Sequence, residues 1–430
     1  MAEVVVVGTG YVGLTTGVCF AHLGHNVVCV DTDVKKVERM RAGEVPIVEE
    51  GLAELMAQGI ASGRLRFAIE AAEVLPACEF VFLCLPTPER DDGSVDMSYI
   101  EAVAGRIGPM LAVNAVVVNK STVPVGASKT VAGLLGRSDV HVASNPEFLR
   151  EGTAVYDFLH PSRVVVGAET HEVCARVGAL YNGVDAPVIF SDPVSSETIK
   201  YAANAFLATK ISFINSIANI CEHVGADIHT VVDAIGRDPR IGREFLQPGP
   251  GFGGSCFPKD TIGLVTLAAE AGYKFGLLES VIEANDQQLE RVVEKVRRAV
   301  GGNLEGKLVA VWGLTFKANT DDRRHSPAIT IARKLLLAGA HLAVFDPTVA
   351  GAVPELEANA GGAVAVAPSA VGACAGANAL VVLTEWPMFA GVSPVEVAKT
   401  MGNAQVVDAR NLLDREAWRA AGFTYQGIGR

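Results

Sequence analysis

The 430-residue sequence lacks the features that mark several large classes of protein. No apolar run approaches the ~20 residues that a membrane-spanning helix needs. No block of basic residues occurs and the formal net charge is −12, which argues against a nucleic acid partner. The segment Met1–Val7 has neither a basic region nor a cleavage site, so we expect no secretion signal and a cytoplasmic protein.

Cysteine and histidine are present, but not in patterns that form bridges or bind metal. The eight cysteines show no CxxC spacing and the nine histidines no HxxxH spacing, so we expect neither disulfides nor a metal site. Seven cysteines lie among apolar residues, as small core residues do. They are Cys19, Cys29, Cys78, Cys84, Cys174, Cys221 and Cys374. Cys256 has different surroundings.

Apolar residues make up 50% of the chain and charged residues 20%, enough for two or three packed domains. In the first half, β-branched runs alternate with helical patterns. This predicts a parallel sheet covered on both faces, the doubly wound α/β fold. The predicted strands are 3–7, 26–30, 79–85, 115–119, 140–143 and 163–167.

The pattern becomes helical after residue 193. Residues 194–235 predict a long, largely buried helix and a shorter one, and a Gly/Pro-rich loop at 247–256 precedes more helix. Strands are predicted again at 307–312, 341–345, 378–383 and 405–408. We therefore predict an NAD-binding Rossmann-like domain at 1–193, a helical central domain at 194–300, and a second Rossmann-like domain at 301–430. We expect the central domain to form the surface of a homodimer.

A dinucleotide-binding motif follows the first predicted strand. It consists of Gly8, Gly10 and Gly13, with Tyr11 and Val12 between the last two. The glycines permit a tight turn, close approach of a pyrophosphate, and packing of helix on strand, while the helix N-terminus faces the phosphates. Asp31 ends the second strand, where a carboxylate accepts hydrogen bonds from ribose hydroxyls and repels a 2′-phosphate. This favours NAD over NADP; the alternative is a glycine turn in an unrelated α/β fold.

Cys256 lies between a glycine-rich loop and a predicted helix start, in the run Gly251–Asp260. Pro258 suits the first helical position, and a cysteine just before a helix N-terminus, with Lys259 nearby, favours the thiolate. A thiolate in an NAD enzyme can trap an aldehyde as a hemithioacetal, which then becomes a thioester by losing a second hydride. The alternative is an inert, buried cysteine.

With these residues the chain resembles the UDP-glucose/GDP-mannose dehydrogenase family over nearly its whole length. The other matching motifs are Pro86–Pro88, Lys120–Gly126, Asn145–Gly152, Glu197–Asn204 and Phe316–Pro327. The resemblance implies an NAD-dependent, four-electron oxidation of a nucleotide sugar from primary alcohol to acid. UDP-glucose is the first choice of substrate, because Asp238–Gly242 and Gly254–Asp260 resemble the UDP-glucose branch of the family. The GDP-mannose branch tends to carry leucine after the cysteine, where this chain has Phe257, and the N-acetylmannosamine branch tends to carry histidine before it, where this chain has Ser255. GDP-mannose or another UDP-hexose stays the alternative.

The resemblance also implies roles for individual residues. The catalytic set is Cys256 as nucleophile with Lys200, Asn204, Asp260, Thr122 and Glu151. Lys200 and Asn204 lie four apart, on one helix face, where the lysine would stabilise an oxyanion. Asp260, Thr122 and Glu151 surround the reacting water. Glu151 is the candidate general base, and Asp260 or water alone is the alternative for each proton transfer.

The implied ligand contacts extend over all three predicted domains. Besides the glycine motif and Asp31, the cofactor contacts are Lys36, Thr87, Thr122, Glu151, Lys259 and Arg324. The substrate contacts are Glu147, Phe148, Leu149, Arg150, Glu151, Lys200, Asn204, Arg240, Phe245, Leu246, Gln247, Pro248, Gly249, Gly253 and Lys317. In the family, the arginine that matches Arg240 can come from a neighbouring subunit.

Two other functions are compatible with the same fold. A single-step β-hydroxyacid dehydrogenase also pairs a lysine with an asparagine on a central helix, but it needs no thiol. A catalytically inactive NAD- or nucleotide-binding regulator would be expected to have lost the cysteine or the lysine, and this sequence has both.

Overall fold

A computed structural model describes residues 1–90, 92–357 and 363–430. The chain divides into two units, each made of two segments. The first unit comprises Met1–Ala203 with Ile262–Glu270, and the second comprises Asn204–Thr261 with Ala271–Arg430. Each unit has a sheet of its own and is described separately.

The first unit is built on a sheet of short, apolar strands. They are β1 (Glu3–Val7), β2 (Asn26–Val30), β3 (Leu65–Ala68), β4 (Phe80–Leu83), β5 (Val116–Asn119), β6 (His141–Ser144), β7 (Val164–Ala168) and β8 (Val188–Ser191). Within the described residues the order is β3-β2-β1-β4-β5-β6-β7-β8, which begins as a doubly wound sheet does. The six predicted strands are confirmed, and β3 and β8 were not predicted.

The direction of the strands changes at β7. The strands from β3 to β6 are parallel, whereas β7 pairs antiparallel with β6, and β8 is parallel to β7. The prediction of a parallel sheet is therefore confirmed for every strand pair except β6–β7, which is antiparallel. A continuous apolar run indicates a strand buried on both faces, but it does not encode the direction of that strand.

Helices cover both faces of this sheet. They are α1 (Tyr11–His22), α2 (Val34–Arg41), α3 (Leu52–Ala61), α4 (Ser98–Ile107), α5 (Ala127–Leu135), α6 (Ala154–Leu159) and α7 (His171–Gly178). Val4 and Val6 of β1 pack into one core, and Val5 and Val7 pack into another. Successive strand side chains point to opposite faces, so β1 is buried on both sides.

The helical middle of the chain is present as predicted. Its helices are α8 (Pro193–Val224), α9 (Ile228–Gly236), α10 (Phe257–Glu270) and α11 (Gly276–Ala299). Helix α8 begins in the first unit and continues into the second, whereas α10 does the reverse. None of the helices in the described ranges combines the length and the apolar character needed to cross a membrane.

The second unit contains another sheet of parallel strands. They are β9 (Leu308–Trp312), β10 (His341–Phe345), β11 (Val364–Val366), β12 (Ala379–Val382), β13 (Gln405–Asp408) and β14 (Thr424–Gln426), in the order β11-β10-β9-β12-β13-β14. Its remaining helices are α12 (Pro327–Leu337), α13 (Pro354–Glu357), α14 (Ala370–Ala373), α15 (Pro387–Ala390), α16 (Pro394–Thr400) and α17 (Arg415–Ala420). The four predicted strands are confirmed. Strands β11 and β14, of three residues each, were not predicted.

Candidate functional site

The turn between β1 and α1 contains three glycines that have different structural roles. Gly8 has φ +94°, and a Cβ there would lie 2.4 Å from the carbonyl oxygen of Cys84. A Cβ on Gly13 would lie 1.9 Å from the carbonyl oxygen of Gly8. Among the residues that the structure describes, a Cβ on Gly10 would meet no atom within 4 Å, and no side chain caps α1 at Gly10. Packing therefore requires the first and third glycines, while the second leaves room for a phosphate at the helix N-terminus.

Asp31 lies beside this turn, directly after β2. Its Oδ2 accepts hydrogen bonds from Thr9 N at 3.1 Å and Thr9 Oγ1 at 2.5 Å, and Lys36 Nζ lies 3.3 Å away. Burial raises the pKa of Asp31, but the bonds from Thr9 and Asp33 and the charge of Lys36 outweigh it, so the net shift is downward. Asp31 thus stays ionised next to the glycine turn. The turn, the uncapped helix and this carboxylate fit NAD.

The second sheet has a corresponding aspartate with a different use. Asp346 follows β10 as Asp31 follows β2, and its Oδ2 accepts hydrogen bonds from Leu314 N, Thr315 N and Trp386 Nε1. Its Oδ1 accepts bonds from the backbone and hydroxyl of Thr348. Asp346 is 1% exposed, and both of its oxygens already accept hydrogen bonds from the protein itself. The features that fit a dinucleotide therefore belong to the first unit.

Two glycine substitutions test this assignment. Gly10→Ala, at φ −67°, should shift the melting temperature by no more than about 3 °C yet raise the Kd for NAD about 10-fold or more, because the methyl enters the phosphate position. Gly13→Ala should lower the free energy of unfolding by about 2 kcal/mol or more even without NAD, because its methyl overlaps the backbone. Calorimetric titration and urea denaturation measure both. Unchanged NAD binding by Gly10→Ala would contradict the assignment.

Other predicted cofactor residues lie on neighbouring strands of the same sheet. Thr87 follows β4 and Thr122 follows β5, and both are half-buried. Strand β4 pairs with β1, and β5 pairs with β4. Because these three strands are parallel, their carboxyl ends meet at one edge of the sheet, next to the glycine turn.

A buried ion pair joins the loop after β6 to α8. Lys200 Nζ donates to Glu147 Oε1 at 2.9 Å and to the carbonyl oxygen of Glu147 at 2.7 Å, and both side chains are about 5% exposed. Burial raises the pKa of Glu147, but the charge and hydrogen bond of Lys200, the bond from Leu149 N and the charge of Lys120 together lower it. The sequence predicted Glu147 as a substrate contact. The structure makes it the carboxylate paired with Lys200.

Of the other side chains in this loop, Phe148 lies near the ion pair, whereas Arg150 points away from it to the surface. The Phe148 ring lies 5.4 Å from Lys200 Nζ on one side and 3.6 Å from the Arg163 guanidinium. Arg150 points to the surface and pairs with Asp157 at 2.7 Å, while Glu151 is half-buried. Among the predicted residues, the structure therefore brings Lys200 together with Glu147 and Phe148.

In the second unit, Cys256 immediately precedes α10, as predicted. The helix begins at Phe257, so Pro258 is its second residue rather than its first, and Asp260 N donates to Cys256 O at 2.9 Å. All eight cysteines lie in the described ranges; seven are buried, and Cys256 alone is partly exposed. Burial raises the pKa of thiols such as Cys78 and Cys374 to about 12 and keeps them protonated.

Asp260 is fully buried beside this helix start. Its Oδ2 accepts a hydrogen bond from Asn204 Nδ2 at 2.6 Å, and its Oδ1 accepts one from Lys259 Nζ at 2.7 Å. Lys259 was predicted to support the thiolate and the cofactor, and in this structure it pairs with Asp260. The carboxylate therefore holds the start of α10 to Asn204 of α8.

Three polar side chains that the sequence did not single out hold the glycine-rich loop. Gly249 N donates to Asn215 Oδ1, and Gln288 Nε2 donates to Gly249 O, each at 2.8 Å. Asn285 Oδ1 accepts from Phe252 N at 2.7 Å, and its Nδ2 donates to Phe252 O at 3.2 Å. All three are at most 7% exposed. In the sequence, the signal that could have identified these three side chains was a polar residue on an otherwise apolar helix face.

The glycines of this loop are needed largely for packing against the protein itself. A Cβ on Gly253 would lie 2.2 Å from the carbonyl oxygen of His325, and one on Gly254 would lie 2.9 Å from the Phe316 ring. Gly254 also has φ +82°. The glycine run thus allows close approach of the segment after β9.

The preceding segment borders a small cavity. Gln247 and Pro248, both predicted substrate contacts, line a space of about 230 Å³ together with Arg410. Arg410 was not predicted; it donates to Phe316 O at 2.8 Å, and its Nη1 lies 3.5 Å from a Cβ built on Gly249. Its signal in the sequence was only an arginine after a predicted strand.

The remaining predicted residues have varied environments. Leu246 is buried, whereas Phe245 has φ +63° and its ring lies 6.1 Å from that of Phe257. Arg240 is 86% exposed and pairs with Asp238 at 2.6 Å. These positions leave Arg240 facing solvent in its own chain.

The two predicted residues after β9 are accessible in different degrees. Lys317 is half-buried, with its Nζ 5.6 Å from the Phe316 ring centroid. Arg324 is 60% exposed and pairs with Asp322 at 2.7 Å. Both belong to the segment whose His325 carbonyl packs on Gly253.

Comparison with known proteins covers the whole chain. Residues 2–185 match the NAD binding domain of the UDP-glucose/GDP-mannose dehydrogenase family, residues 194–287 its central domain, and residues 310–415 its UDP binding domain. The UDP-glucose 6-dehydrogenase TuaD of Bacillus subtilis is 44% identical, covering 100% of this chain and 94% of the relative. That of Rhizobium meliloti is 43% identical, covering 100% and 99%. A solved UDP-glucose dehydrogenase from Pyrobaculum islandicum has 37% identity and a TM-score of 0.89, covering 100% and 98%.

Proposed function

This chain belongs to the UDP-glucose/GDP-mannose dehydrogenase family, and on that premise we propose that it oxidises UDP-glucose to UDP-glucuronate in two NAD-dependent steps through a thioester on Cys256. The choice of UDP-glucose is supported by the relatives named UDP-glucose 6-dehydrogenase and by Phe257 after the cysteine. The observation that carries the mechanism is Cys256 itself, a partly exposed thiol at the start of α10.

The proposed reaction passes through an aldehyde, a hemithioacetal and a thioester. The primary alcohol loses a proton and a hydride and becomes an aldehyde; two NAD molecules, bound one after the other at the glycine turn, would each accept one of the two hydrides. The Cys256 sulfur adds to the aldehyde carbon, and the aldehyde oxygen takes up a proton to give a hemithioacetal. Loss of a second hydride and of that proton leaves a thioester. Water then adds, the carbon–sulfur bond breaks, and the carboxylate and the free thiolate result, with the two protons of the water released.

Lys200 and Glu147 have the clearest electrostatic task in this sequence of steps. A cationic lysine stabilises the alkoxide and the tetrahedral oxyanions, since it is held in a water-poor site. Glu147 supplies the opposite charge and holds Lys200 in place through two hydrogen bonds. We assign the alcohol and water protons to Thr122, Glu151 and solvent. Asp260 acts as a positioning residue through Asn204 and Lys259.

The ligand contacts follow from the same assignment. NAD is assigned to Gly8–Gly13, Asp31, Lys36, Thr87, Thr122, Glu151, Lys259 and Arg324. UDP-glucose is assigned to Glu147–Glu151, Lys200, Asn204, Arg240, Phe245–Gly249, Gly253 and Lys317, with Arg410 added from the cavity it shares with Gln247. We also propose that the chain has three domains, 1–193, 194–300 and 301–430.

We also propose that the protein is a homodimer through α8. Phe206, Phe213 and Ile220 lie seven residues apart, hence on one face of the helix, and are 65%, 53% and 55% exposed. Val224 extends the stripe and is 70% exposed. A row of large apolar side chains on a long helix is the kind of surface that a second copy covers.

The direct test is a single-turnover experiment with intact protein, NAD and UDP-glucose. We expect two NADH per sugar and a transient mass increase on Cys256 that disappears as the acid forms. One NADH per sugar with no adduct would instead indicate a single-step dehydrogenase. No NADH with UDP-glucose, but two with GDP-mannose or another UDP-hexose, would move the protein to another substrate within the family.

A further inference from the structure

A buried lysine outside the assigned site lies behind the Glu147–Lys200 pair. Lys120 follows β5 and is 4% exposed. Its Nζ donates to Asn145 Oδ1 and to the hydroxyl oxygen of Tyr181, each at 3.0 Å. The Tyr181 hydroxyl in turn donates to Asn145 Oδ1 at 2.5 Å. Asn145 Nδ2 donates to Val165 O at 2.7 Å, so the Asn145 amide is held from both ends.

The hydrogen-bond partners of Lys120 are neutral, and its surroundings are mostly apolar. The rings of Phe158 and Tyr181 lie 6.0 Å and 5.6 Å from its Nζ. Burial lowers the pKa of Lys120 to about 8; Cys84 and Glu147 oppose this shift, and the charge of Lys200 adds to it. A charged amine in such a place is costly unless it is paired, and a methionine of similar size would pack without that penalty. A purely structural role therefore explains this lysine poorly.

Lys120 and its partner Asn145 each lie close in sequence to a residue assigned to the reaction. Asn145, which it holds, lies two residues before Glu147. Lys120 itself lies two residues before Thr122, which we assigned to the cofactor and the water network. The charge of Lys120 also acts on Glu147 directly and favours its carboxylate form.

We propose that Lys120 is a positioning residue for the oxidation, which clamps Asn145 and thereby sets the geometry and charge of the Glu147–Lys200 pair. This inference rests on the proposed function, since the pair matters only if Lys200 stabilises the reacting oxygen. Its distinguishing feature is electrostatic. Because the Lys120 cation stabilises the Glu147 carboxylate, removing that cation makes Glu147 take up a proton at higher pH.

The experiment compares Lys120→Met with Tyr181→Phe, using the full-length enzyme, NAD and UDP-glucose. Lys120→Met removes the charge and the clamp, whereas Tyr181→Phe removes the two hydrogen bonds of the tyrosine hydroxyl and leaves the charge and the bond from Lys120 to Asn145. For Lys120→Met we expect kcat to fall about 10-fold or more with KM for UDP-glucose within about 3-fold. We also expect the acidic limb of its kcat/KM profile to move upward by about 0.5 pH unit or more. The limb of Tyr181→Phe should stay in place.

The outcomes separate the inference from the function on which it rests. If wild-type protein forms no NADH with any of the nucleotide sugars, the proposed function fails. If wild type is active and Lys120→Met matches it in kcat and in the acidic limb, the positioning role is wrong. A loss of kcat without a shift of the limb, equal to that of Tyr181→Phe, would make Lys120 structural and overturn the proposal. Lys120→Gln, which is neutral but polar, carries the same expectation if Lys120→Met does not unfold cooperatively.

Discussion

Replacing Cys256 with alanine is expected to reduce formation of the acid by about 10³-fold or more. The methyl group cannot trap the aldehyde, so neither the hemithioacetal nor the thioester forms. Residual turnover should stop at one NADH per sugar, with aldehyde released in place of acid. The measurement is the ratio of NADH to acid at steady state, with mass spectrometry of the products. The fold should survive, because Cys256 is partly exposed and fills no core position.

The matched control is Cys374→Ala. Cys374 is fully buried, and its thiol donates to Ala370 O in the second unit. Its truncation should lower the free energy of unfolding by about 1 kcal/mol while leaving kcat close to wild type. Equal loss of activity in both variants would point to general destabilisation. A Cys256→Ser enzyme that turned over at the wild-type rate would refute the thioester mechanism.

Lys200→Met is the substitution with the second-largest expected effect. Loss of the cation should lower kcat by about 10²–10³-fold, as loss of an oxyanion-stabilising donor does. It also leaves the buried Glu147 carboxylate without its ionic partner, which should lower the free energy of unfolding by about 3–5 kcal/mol. Steady-state kinetics and urea denaturation measure the two effects. Lys129→Met, at an exposed position of α5, should change neither.

The pH dependence of the stability lost in Lys200→Met tests whether the broken ion pair is the cause of that loss. Because the folded pKa of Glu147 is lowered, the pair stabilises the fold above the unfolded pKa of about 4.5. That stabilisation is lost as the pH falls through the folded pKa. The stability difference between wild type and Lys200→Met should therefore be largest near neutral pH and shrink as the pH falls below about 4.5. A difference that stayed constant with pH would contradict this explanation.

The double variant Glu147→Gln/Lys200→Met separates stability from catalysis. Replacing both members removes the unpaired buried charge, so much of the lost stability should return. Activity should not return, because the catalytic cation is still absent. If the double variant regained wild-type kcat, the role assigned to Lys200 would be wrong.

The sequence predicted those parts of the molecule that depend on neighbours along the chain. The ten predicted strands, the helices between residues 193 and 300, and the position of Cys256 before a helix all depend on local pattern. Three of the four strands that escaped prediction had weak local signals, whereas β8 (Val188–Ser191) contains an apolar run that the prediction missed. Strand β3 alternates buried and exposed residues, and β11 and β14 have three residues each.

The exact partners of charged residues could not be predicted in this way. For Lys259, predicted near the thiol and the cofactor, the ion pair with Asp260 was not foreseen. Glu147 and Lys200 are 53 residues apart in the chain and meet only because β6 and the first part of α8, up to Ala203, belong to one packed unit. The spacing of residues along a sequence carries no information about such distant pairings.

By itself, then, the sequence determined the class of fold, the glycine turn for NAD and the cysteine at a helix start. All three follow from backbone sterics and hydrophobic periodicity, which act over a few residues. The tertiary structure alone decided which polar groups are buried together: Lys200 with Glu147, Asp260 with Asn204, and Lys120 with Asn145 and Tyr181. The physical reason is that a buried polar group must find a partner in three dimensions, and packing chooses that partner regardless of its distance along the chain.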